Sequence, residues 1–237
     1  MKKSILVLSV FSAFLLLGAG CSSVSDDNTM SSDNVNSGDK ISEKSLVVVD
    51  SDGVASIDNT VFFEELGKNF GAKATQGDIM ALPYMYESEK MAENLFVTWN
   101  EKHELSILDS LVESHATQRE ILAAVMGGLQ VDLSVAALEE GEFKDAKVQT
   151  LYDKLLPIGN EMRVKAFTSG LLLEESMIKN VNTYLERGID GISKTVFEAI
   201  KEASGKNLKV LNSLLVAEGA TYKAQVISQS EFDGYLK

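Results

Sequence analysis

Six polar residues stand near the middle of four segments whose apolar residues recur at helical spacing. They are Glu89, His115, Gln118, Glu174, Ser204 and Asn207. Because apolar residues three or four positions away flank each of them, a helix would turn each polar side chain towards the protein interior. The order also repeats, since a Glu on one helix is followed twice by a polar pair at positions i and i+3 on the next. This repeat predicts a duplicated helix pair.

The two carboxylates and the imidazole of this set are groups that bind cations. A buried carboxylate costs several kcal/mol unless it is paired or bound to a cation. Glu89, His115 and Glu174 could therefore hold one metal ion of moderate affinity, to which Gln118 and Asn207 would add only weak, neutral ligands. Such an oxygen-rich set favours iron, manganese or zinc.

A second interpretation needs no metal. The same polar residues can form a buried hydrogen-bond network in which a protonated His115 lies between Glu89 and Glu174 and satisfies both carboxylates. The first interpretation predicts metal sequestration or an oxidoreductase. The second predicts a non-enzymatic binding or structural module of unidentified specificity, and we favour it.

Four long amphipathic helices would position these residues. Periodicity and capping signals predict these helices over residues 75–99, 106–126, 160–185 and 193–218. A polar connection over residues 129–145 and a further helix from residue 146, broken near Pro157, separate the two pairs, and a last short helix opens at Ser228. We therefore predict an all-α fold, an antiparallel four-helix bundle with a long crossover between its second and third helices.

The beginning of the chain is typical of a secreted lipoprotein. Lys2 and Lys3 precede an apolar run at residues 5–17, and the small residues 18–20 precede Cys21. This arrangement resembles the cleavage box of bacterial lipoproteins, whose Cys carries the lipid. We expect anchoring to the outer membrane if the cell has one, and otherwise to the outer face of the cytoplasmic membrane. The predicted parts are a signal peptide, a lipidated Cys with a disordered tether, a short extension and the bundle, at residues 1–20, 21–44, 45–74 and 75–237.

Composition excludes several classes of function. The 237 residues carry a net charge of −13, which disfavours nucleic acid as a partner. One Cys excludes an intramolecular disulfide framework, and two His exclude a site built from three imidazoles. The second histidine, His103, falls in a charged turn between two predicted helices, where we expect it to be solvated.

Four short strings of residues carry a resemblance to a known family. They lie at residues 85–92 (MYESEKMA), 151–155, 170–175 (GLLLEE) and 222–232. In order and spacing, residues 74–236 resemble a prokaryotic ferritin-like family, domain of unknown function 2202. Its Glu-x-Glu-Lys motif is kept at residues 87–90, and its Glu-Glu pair at residues 174–175. The resemblance implies a ferritin-like four-helix bundle with a presumed metal site and no established activity.

Several positions depart from that family's pattern. His115 stands where the family has Glu, and Gln118 and Asn207 stand where it has His. Met177 replaces an acidic residue. The resemblance therefore implies a di-metal site that has degenerated in this chain.

Overall fold

The computed structural model describes residues 45–68 and 73–237, so the predicted signal peptide, Cys21 and tether lie outside the described residues. The described part is mostly helical, with one small sheet of two strands. Its elements are β1 (Val47–Val49), β2 (Ala55–Ile57), α1 (Asn59–Lys68), α2 (Gln76–His103), α3 (Ile107–Gly128), a 3-10 turn (Ser134–Ala137), α4 (Ala146–Gly159), α5 (Arg163–Glu186), α6 (Gly191–Ala217) and α7 (Gln229–Tyr235). The prediction of a helical fold is confirmed at this level.

Local sequence signals set the helix ends close to where they were predicted. Thr75 caps α2 in a reciprocal box with Asp78, which satisfies main-chain N–H groups that the first turn leaves free. Ser228 likewise accepts the main-chain N–H of Glu231 and opens α7. Helix α2 continues one turn beyond its predicted end, to His103, and Glu104 in the left-handed region (φ 54°) ends it.

The long helices pack in sequence-adjacent pairs, α2 on α3 and α5 on α6, and α4 contacts both α2 and α5. We call α2, α3, α5 and α6 the helical body. One contact of α4 depends on a glycine, because a Cβ built on Gly159 would lie 2.2 Å from the Trp99 side chain. The main-chain oxygen of Gly159 also lies 2.7 Å from Nε2 of His103. The expectation that His103 is a solvated surface residue was wrong, because this contact holds it half-buried at the end of α4.

The segment before α2 has more structure than the predicted extension. Strands β1 and β2 pair antiparallel, with Val47 opposite Ile57, and β2 contacts both α3 and α6. Asp50 makes the turn between the strands, where its Oδ1 accepts the N–H groups of Asp52 and Val54. Strand β2 and helix α1 were not predicted. Within residues 45–68 and 73–237, no helix is both long and apolar enough to cross a bilayer.

Candidate functional site

The helical body brings three of the predicted site residues into direct contact. Nδ1 of His115 lies 2.7 Å from Oε2 of Glu89, and its Nε2 lies 3.2 Å from Oε1 of Glu174. Helices α3, α2 and α5 supply these residues, and all three side chains are fully buried. The ring of Phe96 stacks on the imidazole, with centroids 5.4 Å apart and planes inclined by 18°. The imidazole is therefore fixed between two carboxylates.

Burial and charge act in opposite directions on this triad. Burial alone lowers the pKa of His115, but the charge of Glu174 and the hydrogen bonds to both carboxylates outweigh it and raise that pKa to about 10. Burial raises the pKa of the Glu89 carboxyl, and the adjacent His115 opposes this rise. The raised pKa of His115 favours a protonated ring, and both of its nitrogens lie within hydrogen-bond distance of a carboxylate oxygen.

Among the residues that the structure describes, four of the six polar side chains singled out in the sequence each keep a buried oxygen without a hydrogen-bond partner. These oxygens are Oε1 of Glu89, Oε1 of Gln118, Oε2 of Glu174 and Oγ of Ser204. Unpaired polar atoms in an interior cost free energy and call for a proton, a water molecule or a cation. His115 thus pairs with one oxygen of each carboxylate, and the second oxygen of each has no partner.

The two amide residues predicted as weak ligands hold the N-terminal hairpin. The N–H of Ala55 donates to Oδ1 of Asn207 over 2.8 Å, and Oγ of Ser114 donates to the carbonyl of Ala55 over 2.6 Å. Nε2 of Gln118 donates to Oγ of Ser114 over 2.9 Å. All four residues are buried. Asn207 and Gln118 thus take part in a network that fixes β2 between α3 and α6.

A second ion pair joins the same two helices. Nε of Arg119, four residues after His115, lies 2.6 Å from Oε2 of Glu93, four residues after Glu89. Arg119 also donates to the hydroxyl of Tyr86 over 3.3 Å. This pair is partly exposed, so it contributes about 1 kcal/mol or less. It ties α2 to α3 beside the buried triad and was not predicted.

Two further carboxylates bind main-chain amides and were missed by the sequence analysis. Glu87 accepts the N–H groups of residues 144–145, just before α4. Glu175 accepts the three consecutive N–H groups of residues 225–227, just before α7. The motifs themselves indicated different roles for the two carboxylates in each pair. Glu87 and Glu89 are two residues apart, Glu174 and Glu175 are adjacent, and residues at such spacing on a helix cannot face the same site. In each motif one Glu points to His115 and the other holds a distant segment.

Lys90 of α2 binds the segment that connects α3 to α4. Its Nζ donates to the carbonyls of Leu138, Glu139 and Glu142 over 2.7, 2.7 and 3.2 Å. Burial lowers the pKa of this lysine. Three carbonyl acceptors replace the water that the ammonium group loses, so Lys90 orders the connection between α3 and α4.

The donor set does not fit a di-metal centre of the ferritin-like kind, which takes six strong donors from four helices. Both nitrogens of His115 are in hydrogen bonds to carboxylates, and Oδ1 of Asn207 is in a hydrogen bond to Ala55. Among the described residues, no group of three or more His, Cys, Asp or Glu is arranged to hold a metal ion. The oxygens left without a partner are one each on Glu89, Glu174, Gln118 and Ser204.

Comparisons with known proteins agree with this fold. The family model described as "Uncharacterized protein domain (DUF2202)" matches residues 78–237. The uncharacterized protein MJ0754 of Methanocaldococcus jannaschii is 25% identical over 149 residues, which cover 63% of this chain and 80% of that protein. The crystal structure of MJ0754 matches with a TM-score of 0.67 at 23% identity, covering 70% of this chain and 94% of the other. At this identity the likeness shows a shared fold only.

Proposed function

This chain belongs to the DUF2202 family, and we propose that it is a lipid-anchored protein of the cell envelope. We propose that its helical body is a ferritin-like antiparallel four-helix bundle with a crossover between α3 and α5. The bundle is a non-enzymatic binding or structural module. In it, protonated His115 takes the place that metal ions have in ferritin-like di-metal proteins.

One observation carries this proposal, the position of the His115 ring between Glu89 and Glu174. An imidazolium has two N–H donors and no free lone pair, so it pairs with two carboxylates and cannot ligate a metal. Neutral imidazole has one donor only, so one of the two buried carboxyls would have to stay protonated and donate to its bare nitrogen. The geometry therefore favours the charged ring, which supplies the cation that two buried carboxylates need.

Burial supports a non-enzymatic role for the triad. A catalytic acid or base must come within hydrogen-bond reach of its substrate. Glu89, His115 and Glu174 are each 0% exposed, and the stacked Phe96 covers a face of the imidazole. The three side chains hydrogen-bond to one another. We propose that they form a rigid, charge-paired interior that needs no cofactor.

The envelope location has its own support and its own test. It rests on Lys2, Lys3, the apolar run at residues 5–17 and the small residues before Cys21. We expect cells fed a radiolabelled fatty acid to label the full chain and not the Cys21→Ser variant. Equal labelling of both would contradict the anchor.

A second candidate function is favoured by the unpaired oxygens of Glu89, Glu174, Gln118 and Ser204. Carboxylate, amide and hydroxyl oxygens are ligands for hard cations such as manganese or iron. The chain would then sequester a metal ion or act as an oxidoreductase. This function requires His115 to give up a proton or turn away from at least one carboxylate.

Metal content separates the two candidates. The chain from Ser22 on, which keeps every described residue, is purified without chelator, offered iron, manganese and zinc in turn, and analysed by elemental mass spectrometry. We expect no metal above background. Roughly one or two metals per chain, lost when Glu89→Gln is combined with Glu174→Gln, would overturn the metal-free module and establish the second candidate. The Glu198→Gln variant, which changes an exposed carboxylate on α6, is the matched control.

A further inference from the structure

A cleft opens on the side of the helical body where α4 crosses α2 and α5. Its volume is about 610 Å³, which lies within the range of about 300 to 1,000 Å³ that small-molecule sites occupy. Residues of all three helices line it, so its shape depends on how α4 is placed. Glu87 and Lys90 order the segment that leads into α4, and they thereby help to form this cleft.

The floor of the cleft is apolar. Met91 of α2, Val148 of α4, and Leu173 and Met177 of α5 line it, and all four are buried. Two methionines in one floor make the surface adaptable, since an unbranched thioether fills irregular space. Met177 is also the position at which the sequence analysis found an acidic residue replaced. An apolar floor of this kind suits a flexible hydrocarbon chain.

The rim contributed by α4 is cationic. Lys147 and Lys154 are exposed and line the cleft, and they lie seven residues apart, so they share one face of the helix. Thr150 and Leu151 stand between them on that face. Among the described residues, no carboxylate lies within 4.0 Å of either ammonium group, whereas Lys165, Lys194 and Lys206 are each paired with a glutamate. Two free cations at one cleft are notable in a chain of net charge −13.

A neutral hydroxyl adds a further donor to the wall. Nδ2 of Asn180 donates to the hydroxyl oxygen of Tyr84 over 3.2 Å, which leaves the O–H of Tyr84 free to donate. Burial, and then the charge of Asp145, raise the pKa of Tyr84, so this hydroxyl stays protonated. Asp145 turns its own carboxylate to the main-chain N–H groups of Lys147 and Val148. The donors offered to a ligand are therefore the Tyr84 hydroxyl and the two ammonium groups. The hydroxyls of Ser88, Thr150 and Ser176 donate within their own helices and present acceptor oxygens.

From these features we infer that the cleft between α2, α4 and α5 binds a small amphipathic carboxylate. The hydrocarbon chain lies over Met91, Leu173 and Met177, and the carboxylate meets Lys147 and Lys154 at the rim. This inference rests on the proposed role of the chain as a binding module, and it does not depend on the charge of His115.

The probe is decanoate, compared with decyltrimethylammonium, which has the same chain length and the opposite charge. Isothermal titration calorimetry on the chain from Ser22 on, below the micellar concentration of each probe, measures both dissociation constants. We expect decanoate to bind at one site and at least about threefold more tightly than the cation, because each exposed ion pair is worth about 1 kcal/mol or less.

Two changes locate the site. Ser176→Phe fills the cleft from a half-buried position on α5, and we expect it to weaken decanoate binding at least tenfold. Its control is Thr168→Phe, at another half-buried hydroxyl residue of α5 that hydrogen-bonds within its own helix and lies outside the cleft. Both variants are first checked for an unchanged circular dichroism spectrum.

The charge test removes two cations at a time. Lys147→Gln with Lys154→Gln is expected to weaken binding by about threefold to tenfold. Lys165→Gln with Lys194→Gln changes the net charge equally, at lysines outside the cleft, and serves as control. Failure of decanoate to bind, equal affinity for the cationic probe, or equal loss in the control pair would overturn the inference. None of these results bears on metal content, so the proposed function is tested separately.

Discussion

Replacing His115 with leucine removes the charge between Glu89 and Glu174 and keeps a side chain of similar volume. The two carboxylates are then buried without a cation, although each still needs one. Removing one partner of a buried ion pair costs about 3 to 5 kcal/mol. The raised pKa of His115 has the same sign, because a raised pKa means that the folded protein stabilises the charged ring. We therefore expect His115→Leu to lose about 3 to 5 kcal/mol of unfolding free energy near neutral pH.

The dependence of this loss on pH identifies its cause. A histidine whose pKa is raised on folding contributes stability that is fully present below about pH 6.5 and is lost as the pH rises through about 10. Towards acidic pH the unpaired carboxylates of the variant take up protons, which removes the cost of burying their charges. The difference between parent and variant is therefore largest near neutral pH and shrinks on both sides.

Urea unfolding followed by circular dichroism, at about pH 5, 7.5 and 10.5, measures this difference. His103→Leu is the matched control, and because His103 meets a neutral carbonyl it should lose only about 1 kcal/mol. A loss at His115 below about 1 kcal/mol near pH 7.5, or one of equal size at pH 7.5 and 10.5, would refute the charge-paired interior.

Three other changes test contacts away from the triad. Asn207→Ala leaves the N–H of Ala55 without its acceptor, so we expect a loss of about 1 to 3 kcal/mol and faster hydrogen exchange in β2. Gly159→Ala brings a Cβ to within 2.2 Å of Trp99, and we expect a loss of about 1 to 3 kcal/mol with a shifted Trp fluorescence maximum. Glu175→Gln weakens the acceptor of three main-chain amides, and we expect a loss of about 1.5 to 3 kcal/mol with faster exchange at residues 225–227.

Each of these changes has a control on the same kind of residue. Asn182→Ala removes a half-buried amide that bonds to another side chain. Gly127→Ala adds a Cβ with nothing within 4 Å of it. Glu198→Gln removes an exposed carboxylate. Exchange rates, melting temperatures or fluorescence that do not differ between a variant and its control would contradict the assigned contact.

The helical fold could be predicted because its signals are local. A helix starts where a side chain accepts a free main-chain N–H of the first turn, as the hydroxyls of Thr75 and Ser228 do. The starts of α2 and α7 were therefore predicted to within one residue. The inward direction of Glu89, His115 and Glu174 follows from the apolar residues around them, and all three are buried. The family prediction, drawn from motifs, is confirmed by the match over residues 78–237.

The features that were not predicted depend on contacts between residues far apart in the chain. Ala55 and Asn207 are 152 positions apart in the chain, and the periodicity of apolar residues cannot predict their contact. The three-residue strand β2 is too short to show an alternating pattern. Glu87 and Glu175 were placed in family motifs, but their partners are main-chain amides, which every residue except proline offers equally. Whether any metal binds near His115 stays a prediction.

The docking of β2 has a consequence for how the N-terminal extension can evolve. Asn207 and Ser114 hydrogen-bond to the main chain of Ala55, which fixes the position of the strand, and the full burial of Ala55 limits that position to a small side chain. A slip of β2 by one residue past Asn207 would turn its opposite face towards α3 and α6, because successive side chains on a strand alternate. Among relatives that keep this docking, we expect small or apolar residues at the inward positions of β2, here Ala55 and Ile57, whereas a plain tether would show no such alternation.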